Sequence, residues 1–252
     1  MALVTGASRG IGRAIAEAFA EAGADLAISA RSLEALETCA GQIRAHGRRA
    51  EAFEADLEQL DQVQSLPVQV LERFGAIDVL VNVAGFNRRM PSVQMTEADW
   101  DSVIDVNLKA SFFLAQAVGR SWIESSRFAR VSERGKGKII NIGSLAGAIG
   151  FHQQAQYASA KAGLVGMTRV LSSEWAGHGI CVNVLAPGYI DTELTEPIWR
   201  DPERSSRVLG RIPAGAPGQV RDIALAAIYL ASPASDYVSG QVLFVDGGAQ
   251  AS

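Results

Sequence analysis

Seven short and almost uninterrupted apolar runs, separated by longer amphipathic stretches, constrain this chain more than any other feature. The runs are Ala2–Val4, Leu26–Ala30, Ala50–Phe53, Ile77–Val81, Lys138–Ile142, Ile180–Ala186 and Gln241–Val245. Runs of this length without polar alternation read as strands buried on both faces, as in parallel sheets covered by helices. The intervening stretches Ile11–Ala22, Leu33–His46, Trp100–Ile123, Tyr157–His178 and Gln219–Ala231 carry helical spacing of their apolar residues. Right-handed crossovers between such strands give an α/β fold, a Rossmann-like doubly wound parallel sheet flanked by helices on both faces. No linker or internal repeat divides the 252 residues, so they are read as a single domain.

Three segments break the rhythm. Pro67 falls inside the helical stretch Asp61–Arg73 and is expected to kink it or begin a new turn. The polar, Arg-rich Ser125–Gly137 reads as a long surface connection. Tyr189–Gly218 holds Pro197, Pro202, Pro213 and Pro217 beside Leu194, Ile198 and Trp199. A loop of that length in a compact domain is usually functional, and a lid over residues 189–218 is the expectation.

Composition excludes several classes of function. A formal net charge of −4 gives no basic surface for nucleic acid or an anionic membrane. No apolar run approaches the roughly 18 residues of a membrane span. The first residues enter a strand rather than a signal peptide, and Cys39 and Cys181 read as free thiols; both point to a cytoplasmic protein. His46, His152 and His178 have no metal-ligand spacing, so no metal is expected.

The turn Thr5-Gly6-Ala7-Ser8-Arg9-Gly10-Ile11-Gly12 joins the first strand to the first helix. Glycines there let the backbone turn tightly and approach a pyrophosphate resting on the helix N-terminus. The spacing is GxxxGxG. At the end of the second strand, where an acid would bind the ribose 2′-hydroxyl of NAD, the chain reads Ala30-Arg31-Ser32. Arg31, with Arg9 from the turn, suits a 2′-phosphate instead and favours NADP(H).

Tyr157 and Lys161 stand four apart at the start of a helix, on one face. A phenol titrates near 10, so its use as an acid/base near neutrality calls for a neighbouring cation, which Lys161 supplies. Ser144 closes Asn141-Ile142-Gly143-Ser144 at the C-terminal end of a buried strand, where ligands of open parallel sheets bind. Its hydroxyl is placed to bond a carbonyl oxygen as charge develops on it.

With these pieces in order, the chain resembles the short-chain dehydrogenase/reductase family over essentially its whole length. TGASRGIG at Thr5–Gly12, Asp56-Leu57, NVAG at Asn82–Gly85, VNL around Asn107, the strand ending at Ser144, YASAK at Tyr157–Lys161, NVLAPG–YIDT at Asn183–Thr192 and DGG at Asp246–Gly248 carry the resemblance. It implies a catalytic set of Asn107, Ser144, Tyr157 and Lys161. Tyr157 would exchange the proton, Lys161 would lower its pKa and hold the nicotinamide ribose, and Asn107 would hold a water leading from Lys161 to solvent. Cofactor contacts are implied for Gly6, Ser8, Arg9, Gly10, Ile11 and Gly12, and for Arg31, Asp56 and Leu57. Asn82, Ala84 and Gly85 would line the adenosine side, and Pro187, Gly188, Ile190 and Thr192 the nicotinamide end, with Tyr157 and Lys161. Family members are commonly homotetramers built on the helices beginning near Trp100 and Tyr157. Val83 departs from the usual Asn-Asn-Ala-Gly.

Several segments, among them Gly85–Pro91, Glu174–Ala176, Arg211–Gly215 and Ala234–Gly240, resemble the branch containing gluconate 5-dehydrogenase and 2-deoxy-gluconate 3-dehydrogenase. A sugar acid would want polar partners, and Arg88, His152 and Gln154 join Ser144 and Tyr157 as candidates for the substrate pocket. A 3-oxoacyl-acyl carrier protein reductase shares most of these motifs, with Arg127, Arg130 and Arg134 as a docking patch. A non-catalytic NADP(H)-binding sensor or scaffold is the alternative of another class, and the intact Asn107/Ser144/Tyr157/Lys161 set argues against it.

Overall fold

The computed structural model describes residues 1–128, 135–193 and 195–251. Each apolar run becomes a strand, and two short strands are added. In chain order they are β1 (Ala2–Thr5), β2 (Leu26–Ala30), β3 (Ala50–Glu54), β4 (Val79–Asn82), β5 (Gly137–Ile142), β6 (Ile180–Pro187), the added β7 (Ile190–Asp191) and β8 (Gly218–Gln219), and β9 (Val242–Val245). Seven of them form one sheet in the order β3-β2-β1-β4-β5-β6-β9, every neighbouring pair parallel. β7 and β8 pair separately.

The helices are α1 (Gly10–Glu21), α2 (Leu33–Ala45), α3 (Leu60–Phe74), α4 (Glu97–Ile104), α5 (Ala110–Glu124), α6 (Ala155–Trp175), α7 (Glu196–Trp199), α8 (Pro202–Leu209) and α9 (Val220–Ala231). α1, α2 and α9 bury Ile15, Phe19, Leu36, Ile43, Ile223 and Leu230 against one face of the sheet. α3, α5 and α6 bury Val63, Leu66, Leu114, Trp122 and Leu171 against the other. Two-sided cover is what continuous apolar strands require.

α3 runs from Leu60 to Phe74 with Pro67 inside it, although proline removes a donor from the helix ladder; the ring is buried, as are Val63, Leu66 and Val70 of the same helix. Two expectations are corrected in detail. The long helix expected from Trp100 begins earlier, at Glu97, because Thr96 and Asp99 form a capping box. It also contains a π turn over Asp105–Lys109 that links α4 to α5. The segment after Tyr189 is not a bare loop, since it carries α7 and α8 and is tied at its ends by the β7–β8 ladder. Of the connection expected at 125–137, residues 129–134 lie outside the described residues.

The two ends of the sheet differ in chemistry. At the N-terminal ends of the strands, charge meets charge. The ammonium of Lys138, 2% exposed inside β5, sits 2.9 Å from Asp236 and donates to Ser235 Oγ at 3.1 Å. Arg127 holds Asp78, and Arg48 holds Asp25 at 2.7 Å. No helix among the described residues is long and apolar enough to cross a membrane.

Candidate active site

The proposed catalytic and cofactor residues, apart from those in the substrate loops, lie toward the opposite, C-terminal ends of the strands. β1 delivers the glycine turn. Thr5 Oγ1 accepts from the backbone N–H groups of Val83 at 3.1 Å and Ala84 at 3.2 Å, tying the end of β1 to the end of β4. At Gly12 an added Cβ would collide with the carbonyl of Gly6, so the turn closes this tightly only with glycine there. Arg9 is the N-cap of α1 yet makes no side-chain cap bond. The N–H groups of the first turn, flanked by Ser8 and Ile11, therefore remain available to an anion.

Arg31 follows β2, is exposed and forms no ion pair among the described residues. Arg9 lies 3.6 Å from Glu193, in the segment after β7. Asp56 follows β3 and accepts the N–H of Glu58 at 3.1 Å. Leu57 and Ile190 are buried in the two cores, so a ligand would meet only their backbone. Pro187 ends β6 in register with Val245. Gly188 crosses Asp246 closely, and Thr192 is pinned by Thr195 Oγ1, which accepts its N–H at 3.0 Å.

Ser144, Tyr157 and Lys161 come together in one cluster. Ser144 caps a single turn of 3₁₀ helix, its Oγ accepting the N–H of Ala146 at 3.1 Å. Burial pushes the Tyr157 phenol above its ordinary value, and the nearby Ser144 hydroxyl offsets this in part. Lys161, 4% exposed, donates to the carbonyl of Ile142 at 2.8 Å and stands 5.5 Å from the centre of the Tyr157 ring. Burial lowers its ammonium to about 8.

Asn107 lies in the π turn, a distortion that often marks functional positions in helices. Its Nδ2 donates to the carbonyls of Phe86 and Val103, both at 2.9 Å. Its Oδ1 is buried without a partner among the described residues and faces Gly85, where any side chain would strike it.

The substrate-side candidates are arranged less simply. Arg88 is committed to Asp99, whose carboxylate also closes the α4 capping box. His152 is exposed and makes no hydrogen bond among the described residues. Gln154 is buried, and in the amide orientation that gives both its atoms a partner its oxygen accepts from Arg89 at 2.8 Å. Met90 N–H donates to the Gln153 carbonyl at 3.1 Å, and Gln156 Nε2 to that of Arg88. The loop after β4 is thus fastened to the loop before Tyr157. Sequence reasoning passed over Gln156, Arg89 and the buried Asn141 and Thr168. A polar residue inside an apolar strand, as Asn141 is, signals a buried partner and was the available clue.

The comparisons with known proteins agree with this geometry. The family described as Enoyl-(Acyl carrier protein) reductase matches residues 6–250. The chain belongs to this short-chain dehydrogenase/reductase family. Among curated relatives, it is 40% identical to 2-dehydro-3-deoxy-D-gluconate 5-dehydrogenase of Escherichia coli (strain K12), covering 98% of this chain and 94% of the relative. It is also 40% identical to a 3-oxoacyl-acyl-carrier-protein reductase of Staphylococcus aureus (strain Mu50), over 98% and 96% of the two chains. Among solved structures, a gluconate 5-dehydrogenase from Burkholderia cenocepacia J2315 in complex with NADP and tartrate superposes with a TM-score of 0.91, at 41% identity, covering 100% of this chain and 95% of that one.

Proposed function

We propose that this protein is an NADP(H)-dependent oxidoreductase that interconverts a carbonyl and a secondary alcohol on a sugar acid. The observation that carries the reading is the clustering of Lys161 with Tyr157 and with the end of β5 that leads into Ser144, on the same side of the sheet as the uncapped N-terminus of α1. Relatives named for gluconate and 2-dehydro-3-deoxy-gluconate chemistry support the substrate class, and the NADP in the Burkholderia structure supports the cofactor.

The residues present fit NADP(H). The free N–H groups of the first turn of α1 suit a pyrophosphate, and Arg31 with Arg9 suits a 2′-phosphate. Asp56, Ala84 and Gly85 would hold the adenosine part, and Gly188 and Thr192 the nicotinamide end. NADPH, when bound, supplies the hydride. The chain's own residues do the rest. Tyr157 gives its phenolic proton to the carbonyl oxygen in reduction and takes it back in oxidation. Ser144 bonds the same oxygen, more strongly as negative charge grows on it. Lys161 places positive charge beside the phenol, favouring the phenolate. The unpartnered Oδ1 of Asn107 suits a water that relays protons from Lys161.

Residues 189–218 would act as a lid. α8 buries no side chain, and the segment touches the cofactor turn through Arg9 and Glu193. The outer edge of β9, half-buried, apolar and without a further strand among the described residues, and Val170 exposed on α6 favour a homotetramer. Sedimentation of the purified protein tests the assembly.

The Staphylococcus relative favours a second reading, acyl-carrier-protein-linked 3-oxoacyl reduction. Its docking patch is weakened here, because Arg127 is bound to Asp78; Arg130 and Arg134 lie outside the described residues. Oxidation of NADPH and NADH against 5-ketogluconate, a 3-deoxy-hexulosonate, acetoacetyl thioester and plain ketones separates the readings. NADPH-dependent turnover of the keto sugar acids is expected. Turnover of the thioester alone would replace the proposal with the second reading, and cofactor binding without turnover of any carbonyl would leave a sensor.

A further inference from the structure

A chain of buried amides runs beneath the site. Asn82, at the end of β4, donates through Nδ2 to the carbonyl of Ser111 in α5 at 3.2 Å and to Asn141 Oδ1 in β5 at 2.9 Å. With its oxygen so occupied, the Asn141 amide turns its Nδ2 to Thr168 Oγ1 of α6, again at 2.9 Å. Asn141 is 0% exposed and Thr168 1%. An apolar layer would fill this space without the cost of desolvating amides, so the polar chain contributes geometry rather than burial.

The placement says which geometry. Helical periodicity of 3.6 residues brings Tyr157, Lys161 and Thr168 to one face of α6. That face meets β5, the strand that bears Asn141, supplies the Ile142 carbonyl to Lys161, and leads into Ser144. Two bonds therefore tie α6 to β5 along its length. One of them, Lys161 to Ile142, uses an ammonium that the reaction also needs. The other, Thr168 to Asn141, is neutral, sealed from solvent and away from any reacting atom.

We infer that Thr168, oriented through Asn141, is a positioning residue: it locks α6 lengthwise against β5 so that Tyr157 meets Ser144 and Lys161 meets Tyr157 in working register. The same amide chain reaches α5 at Ser111, whose hydroxyl in turn donates to the carbonyl of Asn107 at 3.5 Å. Elements carrying all four residues of the proposed catalytic set are thereby referenced to one buried line. A displacement of about 1 Å at reacting groups is enough to cost on the order of a hundredfold in rate. The inference rests on the proposed roles of Tyr157 and Ser144.

The test compares Thr168→Val, Thr168→Ser and Tyr157→Phe in the full chain, with turnover normalised to NADPH-binding sites counted by fluorescence titration. That normalisation removes any loss of folded protein. Thr168→Val is expected to lower kcat per site roughly tenfold or more. KM and the Kd for NADPH are expected to stay within about twofold of the parent, and Thr168→Ser, which keeps the acceptor, to restore the rate. An unchanged kcat per site in Thr168→Val overturns the inference. So does a rise in Kd and KM as large as the fall in kcat, which would mean general disruption. Should Thr168→Val fail to fold, Thr168→Ala removes the same acceptor and is read the same way. Tyr157→Phe keeps the two failures apart. If it retains turnover, the catalytic reading itself falls, whereas a dead Tyr157→Phe beside an unaffected Thr168→Val removes only the positioning role.

Discussion

The two ends of the sheet are built from the same strands but are finished in opposite ways. At the N-terminal ends, Lys138, Arg127 and Arg48 each meet an acid, and Lys138 adds Ser235. At the C-terminal ends, Asn82, Asn87, Asn107 and Gln156 each leave a buried amide oxygen without a partner among the described residues, whereas at the other end only Arg48 Nε and one Asp236 oxygen do, each on a side chain that is already ion-paired. Buried polar groups are normally satisfied, because each unpaired one costs free energy. Charge pairs dominate one end, and neutral unpaired amide oxygens the other.

That contrast can be broken from either side. The largest effect is expected at the upper end, where Tyr157→Phe should lower turnover by about 10²–10⁴ while NADPH titrates as before. Retained turnover would remove Tyr157 from the chemistry. At the lower end, Lys138→Met takes the cation from part-buried Asp236, which keeps the Gly135 N–H, and should cost about 2–3 kcal/mol in urea unfolding, with kcat of the folded fraction unchanged. Replacing both, as Lys138→Met with Asp236→Leu, should recover much of that loss.

The same pair gives a pH signature. Burial pushes the Asp236 carboxyl upward, but the Gly135 N–H and the Lys138 ammonium prevail and hold it below its ordinary 3.8. A depressed carboxyl contributes stability above that value and loses it as pH falls through the folded-state pKa. Acid unfolding of the parent should therefore steepen below about pH 4 relative to the double variant. Equal slopes would mean that the pair is not felt in the folded state.

Smaller effects sharpen the division. Arg31→Asp should shift preference from NADPH toward NADH by roughly ten- to a hundredfold, the worth of one or two charge-assisted hydrogen bonds. It should leave the melting temperature alone. Arg127→Ala, at a partly exposed pair with Asp78, should cost no more than about 1 kcal/mol and spare turnover. A large loss of activity in Arg127→Ala would favour a carrier-protein docking role for that surface.

What could be read from sequence follows the range over which each signal acts. Strands buried on both faces declare themselves as apolar runs, and the glycine turn and the Tyr157–Lys161 pair are local patterns, so all of these appear in the structure near where they were expected. Pro67 was legible as a proline within a helix, but its burial was not, because a single residue's propensity says nothing of the face it sits on. Arg88 was offered as a substrate contact from its neighbourhood in the chain, which gave no sign of its ion pair with Asp99 on a separate helix. Thr168 and Asn141 were invisible as a pair because their meeting depends on how α6 lies along β5, which no short pattern encodes.

The β7–β8 ladder has a consequence for how the region between its strands can move. Ile190 pairs with Gly218 and Asp191 with Gln219, so the ends of residues 192–217 are already brought together in the folded chain. The entropy of closing that ring is settled at folding and does not recur at each binding event. In the proposed lid role, ordering α7 and α8 over a ligand would oppose binding only through the internal freedom of a tethered ring, not that of an open strap.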